Sequence, residues 1–259
     1  MTPRPPSFAI VLTTYMRPQP VLRAIESVLK QSYPLWRLVL VNDSPAEDYT
    51  QAEELIGDDG RISYIKNETN TGKNASVNRA FDLLRNTGFQ GHVVFLDDDD
   101  WLAPDCLATF ADSIEKDGGA WLVSARASTD GIPFTKNRTG HDVIRYYRDC
   151  LLFKRFSGDA THCIGFKKAV ACQFLTTVKN AEEWFFFAQI ARHSPTFRYL
   201  DSIGTFSEGY LDGGLTRTNL TLEQKLELYR RISREMTRER LWSIPTSLYM
   251  VLRLGRIFV

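Results

Sequence analysis

Short apolar runs alternate with segments of helical periodicity through the first hundred residues, and few architectures accept that order. Phe8-Ala-Ile-Val-Leu-Thr13 is continuously apolar up to its last residue, which predicts a buried parallel strand. Pro20 to Gln31 then places Val21, Ala24, Ile25, Val28 and Leu29 at helical spacing. A second strand is predicted at Arg37 to Val41, closed by the turn signal Asn42-Asp43-Ser44-Pro45. The order repeats with Arg61 to Lys66 as strand, Asn74 to Leu84 as helix and Gly91 to Leu96 as strand. This alternation predicts an α/β fold: one Rossmann-like, mostly parallel sheet flanked by helices, with right-handed crossovers. Ligands in such sheets bind beyond the carboxyl ends of the strands. The polar clusters at Thr13-Thr14-Tyr15, Asp43 and Asp97 to Asp100 each follow a strand, so they are expected to converge on one edge.

Further along, Pro104 to Lys116 predicts a helix, Ala120 to Ala127 and Gly158 to Phe166 strands, and Glu182 to Arg192 an aromatic helix. Leu222 to Trp242 reads as a charged amphipathic helix. The 259 residues suit one α/β domain over residues 1–220, with a small helical extension at 221–259.

Leu96-Asp97-Asp98-Asp99-Asp100-Trp101 places four carboxylates in a row behind a hydrophobic strand. Like charges this close raise one another's pKa and oppose folding unless a cation or solvent offsets them. One reading is a solvated acidic turn. The other is a site for Mg²⁺ or Mn²⁺, which prefer oxygen ligands and share one or two carboxylates with substrate phosphates. The P-loop pattern is absent, since Gly72-Lys73 has neither the earlier glycine nor a following Ser or Thr.

The formal net charge of +1 gives no surplus of cations for a nucleic-acid partner. Cys106, Cys150, Cys163 and Cys172 lack paired metal-site spacing, which suits a reducing cytoplasm. Met1 to Ser7 contains no apolar h-region, so a secretory signal is not expected. No uninterrupted apolar run of about 18 residues occurs, so no spanning helix is expected either.

The series Ile10-Val-Leu-Thr-Thr-Tyr15, Arg23-Ala-Ile-Glu-Ser-Val-Leu-Lys-Gln-Ser-Tyr33, Val41-Asn-Asp43, Asn70-Thr-Gly-Lys-Asn-Ala-Ser-Val-Asn78 and Phe95-Leu-Asp-Asp-Asp-Asp100 resembles the family-2 glycosyltransferases of the GT-A fold. The likeness is strongest over the first hundred residues and continues more weakly to about Thr216. It implies an inverting enzyme of the bacterial surface-polysaccharide type, with a nucleotide-binding half at 1–103 and an acceptor-binding half at 104–220. Asp97 and Asp99 would form the D-x-D pair that holds Mn²⁺ or Mg²⁺ and the sugar diphosphate, with Asp98 beside the nucleotide. Thr13, Tyr15, Arg17, Lys73 and Asn78 would also contact the nucleotide, and Tyr15 could stack on the base.

Asp43 would accept a hydrogen bond from a base imide, favouring uridine or thymidine donors; its other reading is an Asx turn. Where many relatives carry Ala-Arg-Asn, this chain has Ser76-Val77-Asn78-Arg79, so the arginine contact is either absent or supplied by Arg79.

Asn180-Ala-Glu182-Glu183-Trp184-Phe-Phe-Phe187 matches the context of the family's catalytic base, with Glu in place of Asp. Glu183 is the first candidate and Glu182 the second, although an ordinary helix N-terminus also favours Glu. Trp101, Asp159 and His162 are candidates for the acceptor side, His162 having a core histidine as its plainer reading. The loop Tyr210 to Arg217 lacks the histidine that relatives often offer a metal, and Asp212 is the candidate substitute.

Arg230, Arg231, Arg234, Arg238 and Arg240 precede Leu241-Trp242 and the apolar Leu248 to Leu252. A basic amphipathic element of this kind can lie on an anionic membrane surface, at the inner face of a cytoplasmic membrane and near a lipid-linked acceptor; it can equally pack on the catalytic domain or a partner subunit. The expected reaction moves a sugar from a nucleotide-sugar donor to a glycan or lipid-linked saccharide hydroxyl. Rival readings are a sugar-1-phosphate nucleotidyltransferase, whose glycine-rich loop Thr14-Tyr-Met-Arg-Pro18 does not match, and a catalytically silent sugar-binding module.

Overall fold

The computed structural model describes residues 4–177, 183–208 and 221–255. The chain runs β1 (Phe8–Thr14), α1 (Pro20–Leu29), β2 (Trp36–Asn42), α2 (Thr50–Ile56), β3 (Ile62–Lys66), α3 (Lys73–Asn86), β4 (His92–Asp97), β5 (Asp100–Leu102), α4 (Cys106–Asp117) and β6 (Trp121–Ser128). It continues through β7 (Lys136–Asn137), β8 (Val143–Arg145), a π-helical segment (Tyr146–Leu152), β9 (Phe156–Ser157), β10 (Ala160–Gly165) and α5 (Phe166–Ala169). α6 (Glu183–His193), β11 (Thr196–Ser207), α7 (Leu222–Arg238) and α8 (Ile244–Gly255) follow.

The main sheet has the order β3-β2-β1-β4-β10-β6-β11-β5, with β8 pairing onto β11. β3, β2, β1 and β4 are mutually parallel, as the alternation predicts. β10 is inserted antiparallel between β4 and β6, and β11 runs parallel to β6. The insertion brings the start of β10 to the edge where β4 and β6 end.

Strand residues alternate between two cores, since successive side chains point to opposite faces. Ala9, Val11, Val93 and Val123 face a core closed by Phe81 and Leu84 of α3 and Phe186 of α6. Phe8, Ile10, Leu12, Val94 and Leu122 face the other, closed by Ile25 of α1, Ala52 of α2 and Phe110 of α4. The continuous apolar run in β1 is thus explained by helices on both of its faces.

A third, smaller core joins the C-terminal helices to the rest. Tyr229, Ile232 and Met236 of α7 and Met250 of α8 pack on Phe185 of α6. Packing on the main α/β domain, one of the readings of the basic tail, is therefore observed. α7 opens with a capping box in which Thr221 and Gln224 satisfy each other's backbone N–H. It stops at Arg238 rather than reaching Trp242, because Arg240 adopts a positive φ of 53° and Leu241 folds back to bond the carbonyl of Met236 at 2.8 Å. The apolar stretch Leu248 to Leu252 lies inside α8.

Several elements have no counterpart in the sequence reading, among them three that frame the site. α2 lies in the acidic segment between Glu47 and Asp59, β5 begins at the last residue of the acidic quartet, and β11 follows Pro195 with a polar, bulged sequence. Each is held by tertiary pairing more than by local pattern.

One loop glycine is structurally required. Gly158 has φ +88°, and a Cβ there would stand 2.1 Å from the carbonyl oxygen of Phe134. Gly158→Ala is therefore expected to lower stability by roughly 1–3 kcal/mol. Urea unfolding measures this, and an unchanged midpoint would contradict it.

Candidate active site at the switch point of the sheet

From β1 the chain crosses to β2 and β3 on one side and then returns to β4 on the other, so β1 and β4 flank a topological switch point. Register places Thr13 beside Asp97 and Thr14 beside Asn42. A cavity of about 760 Å³ opens there. Thr13, Tyr15, Arg17, Asp43, Lys73 and the acidic quartet line its polar end, while Tyr146, His162, Trp184, Phe187 and Tyr249 line the other.

The four aspartates diverge. Asp97 receives the Lys73 ammonium at 2.6 Å. Asp98 turns back to β1, accepting the Tyr15 N–H at 3.2 Å and Arg17 at 3.1 Å. Asp99 takes the same Arg17 guanidinium at 2.5 Å. Asp100 is buried and pairs with Arg126 at 2.7 Å, and Arg126 also reaches Asp159 at 2.9 Å and the Ser207 hydroxyl at 2.9 Å.

The titration equilibria follow from this arrangement. Burial pulls the Asp97 carboxyl upward, but the charges of Lys73, Arg126 and Arg17 override it and leave the group below the usual carboxylate range. Burial pushes Asp98 up to about 6 despite Arg17. Burial and then the neighbouring charge of Asp97 push Asp100 up to about 7 despite Arg126. Lys73 loses stability as a cation through burial, yet Asp97 and Glu183 more than restore it and hold its pKa above the ordinary value.

Asp97, Asp99 and Asp100 can each offer one oxygen, all within 4.8 Å of one another. This all-oxygen donor set fits a hard divalent cation. Asp100 thus joins the pair read from sequence; Asp212, the other expected ligand, lies outside the described residues, as does Glu182.

Asp43 does not form the Asx turn. Asn42 does that, accepting the Ser44 N–H at 2.8 Å. The Asp43 carboxylate instead gathers the turn ahead of α3. Its Oδ1 accepts from Asn67, from the Thr71 N–H and from the Thr71 hydroxyl, and its Oδ2 accepts the Gly72 N–H at 2.7 Å. A carboxylate has about four acceptor positions, so only Oδ2 keeps capacity for a ligand. Gly72, at φ +90° and ψ 156°, occupies a region that side-chain-bearing residues avoid, and it turns the N-terminus of α3 to the cavity.

Lys73 opens that helix and bridges two carboxylates, Asp97 at 2.6 Å and Glu183 at 3.0 Å. Residues 97 and 183 therefore meet on one ammonium. Asp159 and His162 also border the cavity.

Two expectations are corrected by side-chain direction. Asn78 does not reach the cavity, because its amide is closed onto the backbone of Phe174, donating at 3.0 Å and accepting at 3.0 Å. Trp101 does not line it either. Strand alternation sends Asp100 inward and Trp101 outward, where its ring stacks on Phe206 at 6.0 Å beneath the Arg23 guanidinium at 3.9 Å. Arg79 likewise stays outside the cavity and bonds Asn67, the residue that donates to Asp43.

Arg126 was missed by the sequence reading. Its signal was a single charged residue, an arginine, near the end of the mainly apolar segment Ala120 to Ala127. Tyr146 and Tyr249 were missed because neither has a local motif. With Asp100 buried, loss of Arg126 leaves a carboxylate without its cation. Arg126→Met is expected to destabilise by about 3–5 kcal/mol, and adding Asp100→Asn to recover part of that loss. A double-mutant cycle in chemical denaturation measures the coupling, and strict additivity would reject it.

The profile of Glycosyl transferase family 2 matches residues 9–174. The putative colanic acid biosynthesis glycosyl transferase WcaA of Escherichia coli K12 is 35% identical over 107 residues, covering 40% of this chain and 37% of that protein. The UDP-Glc:alpha-D-GlcNAc-diphosphoundecaprenol beta-1,3-glucosyltransferase WfgD of Escherichia coli is 33% identical over 96 residues, 37% of this chain and 36% of that one. The matches thus span little more than a third of these relatives' length. Among solved structures, S. aureus TarS 1-349 in complex with UDP-GlcNAc superposes with a TM-score of 0.72 at 17% identity, over 97% of this chain and 71% of that one. The mannosyltransferase PcManGT from Pyrobaculum calidifontis, in complex with GDP-Man and Mn²⁺, gives 0.58 at 14% identity, over 97% and 70%. At these identities the likeness concerns the fold, and it is the GT-A arrangement that the motif series implies.

Proposed function

Because the profile match covers more than half of its residues, the chain belongs to glycosyl transferase family 2, and on that premise we propose that it transfers a sugar from a uridine or thymidine diphosphate donor to a glycan or lipid-linked saccharide hydroxyl, with inversion at the anomeric carbon. The observation that carries this reading is the Lys73 bridge, which joins a carboxylate of the quartet to Glu183 at the rim of the sheet. A displacement at an anomeric carbon needs a stabilised leaving group on one side and a proton acceptor on the other. The two carboxylates supply candidates for both within the reach of one ammonium.

In this reading residues 1–103 bind the donor. Thr13, Tyr15 and the open Oδ2 of Asp43 border the nucleoside, and Oδ2 suits an imide N–H of uracil or thymine. The Lys73 ammonium and the Arg17 guanidinium stand beside the diphosphate, with the N-terminus of α3 behind them. Asp97, Asp99 and Asp100 would hold Mn²⁺ or Mg²⁺, which when bound neutralises charge developing on the departing diphosphate. Glu183 accepts the proton of the acceptor hydroxyl, and residues 104–220 form the acceptor side.

One relative, WfgD, is named for an acceptor on a diphosphoundecaprenol carrier, which supports a lipid-linked acceptor here. No helix among the described residues is long and apolar enough to cross a membrane. The exposed Leu248, Val251 and Leu252 of α8, with Trp242 ahead of them, support peripheral contact at the inner face of the cytoplasmic membrane.

Calorimetry with UDP-sugars tests the donor half. Asp99→Ala is expected to lose Mn²⁺-dependent donor affinity at least tenfold, and equal affinity would falsify the ligand role. Glu183→Gln is expected to keep donor binding while transfer drops by about 10²-fold or more, with free nucleoside diphosphate as the product of the wild type; pyrophosphate would point instead to nucleotidyl transfer. Co-sedimentation with phosphatidylglycerol vesicles tests the tail: the pair Leu248→Glu and Val251→Glu should weaken binding severalfold, whereas wild-type protein that stays in the supernatant would remove the membrane from this reading.

A further inference from the structure

His162 sits on β10 on the same face of the sheet as Ala160 and Ile164, deeper than the rim by two residues. Its ring is fixed on two sides. The Trp121 indole N–H donates to its Nδ1 at 3.0 Å, and the Phe187 ring stacks on it at 4.0 Å with an interplanar angle of 19°. An indole N–H can only donate, so Nδ1 must present its lone pair and the ring proton must reside on Nε2. Protonating Nδ1 would set two N–H groups against each other.

The ring's remaining contacts, Trp121 at 6.0 Å and Phe197 at 6.4 Å, are aromatic and uncharged. Burial among them, with no contribution from a neighbouring charge, holds the imidazole down at about 3. With its Nδ1 lone pair already taken by the Trp121 N–H, the ring has no open acceptor nitrogen with which to take up a proton. Its Nε2 has no hydrogen-bond partner among the described residues and is not among the sealed, unpartnered atoms, while the residue itself lines the cavity. What is left is one oriented N–H donor in a compartment walled by Tyr146, Trp184, Phe187 and Tyr249, with the Lys154 ammonium 4.6 Å from the Tyr249 ring.

Its position gives the donor a task. Phe187 lies about one helical turn along α6 from Glu183, so the two share a face of that helix about 6 Å apart along its axis. His162, stacked on Phe187, stands one turn below Glu183 on the aromatic side of the cavity. Tyr146, Trp184 and Tyr249 line the same compartment, and their rings suit the apolar faces of a pyranose, whose hydroxyl oxygens need donors.

We infer that His162, locked by Trp121 in its Nε2–H tautomer, is a specificity residue that donates a hydrogen bond to an oxygen of the acceptor sugar beneath Glu183. This rests on the glycosyltransferase reading for the identity of the ligand, but the locked tautomer stands apart from it. The role is that of a donor and not of an acid or base. It explains why a histidine is placed where burial removes its charge: a neutral ring donates without repelling the cations at the polar end.

The test uses the full chain with ¹⁵N-labelled histidine, the His162 resonances being assigned by their loss in His162→Gln. Long-range ¹H–¹⁵N spectra are expected to show the Nε2–H tautomer from pH 5 to 8 with no titration. Methyl β-D-glucopyranoside at saturating concentration is expected to shift the Nε2 resonance, and UDP alone to leave it in place. His162→Phe, which keeps a ring but no donor, should weaken glycoside binding about tenfold while UDP affinity stays within twofold. His162→Gln, which retains an N–H near the Nε2 position, should recover part of the loss. Titration in that pH range, or the Nδ1–H tautomer, overturns the lock. A glycoside that leaves Nε2 unshifted, or binds His162→Phe as well as wild type, overturns the acceptor role. Absent turnover of UDP-sugars would instead count against the enzyme reading and leave the tautomer result intact.

Discussion

Four consecutive carboxylates behind a buried strand fold only because cations from three distant segments reach them. Arg17 comes from the turn after β1, Lys73 from the first residue of α3 and Arg126 from near the end of β6. Their approach depends on β1, β4 and β6 ending at one edge, and Asp159, just ahead of β10, binds Arg126 at that same edge. In the proposed reading Arg17 and Lys73, which stabilise the fold, are also the cations that would stand beside a diphosphate. The same electrostatic complementarity that makes the quartet tolerable prepares the site for an anionic ligand.

α6 couples the two ends of the cavity. Its first residue, Glu183, touches the Lys73 ammonium; one turn later Phe187 stacks on His162; Phe185, pointing away, anchors the C-terminal helices. The tail therefore buttresses the helix that carries the proposed base, and Tyr249 of α8 also reaches the cavity wall. Several of its arginines are engaged locally, Arg231 with Glu227 and Arg238 with Glu235, so its positive charge is partly neutralised by its own helix.

The departures from the sequence reading share one cause. Asn78, Trp101 and Arg79 occupy expected positions along the chain, yet the Phe174 backbone, strand alternation and the Asn67 amide oxygen respectively turn each side chain elsewhere. Asp43 is at the cavity, but most of its hydrogen-bonding capacity is spent on the turn before α3. Motif order registers which residues lie near a strand end. It does not register how a carboxylate's acceptor positions are shared.

The alternation of the first strands and helices, the four parallel strands and the convergence of Thr13, Asp43 and Asp97 on one edge were readable from the chain, because hydrophobic period and strand-end polarity are local properties; the candidacy of Glu183 came from the family resemblance of its motif. The tertiary structure alone decided the antiparallel β10, the bulged β11, the pairing of Arg126 with Asp100, the bridge from Lys73 to Glu183 and the single tautomer of His162. Those features arise between residues separated by 26 to more than 100 positions or between strands, where no local pattern records which partner a side chain will meet.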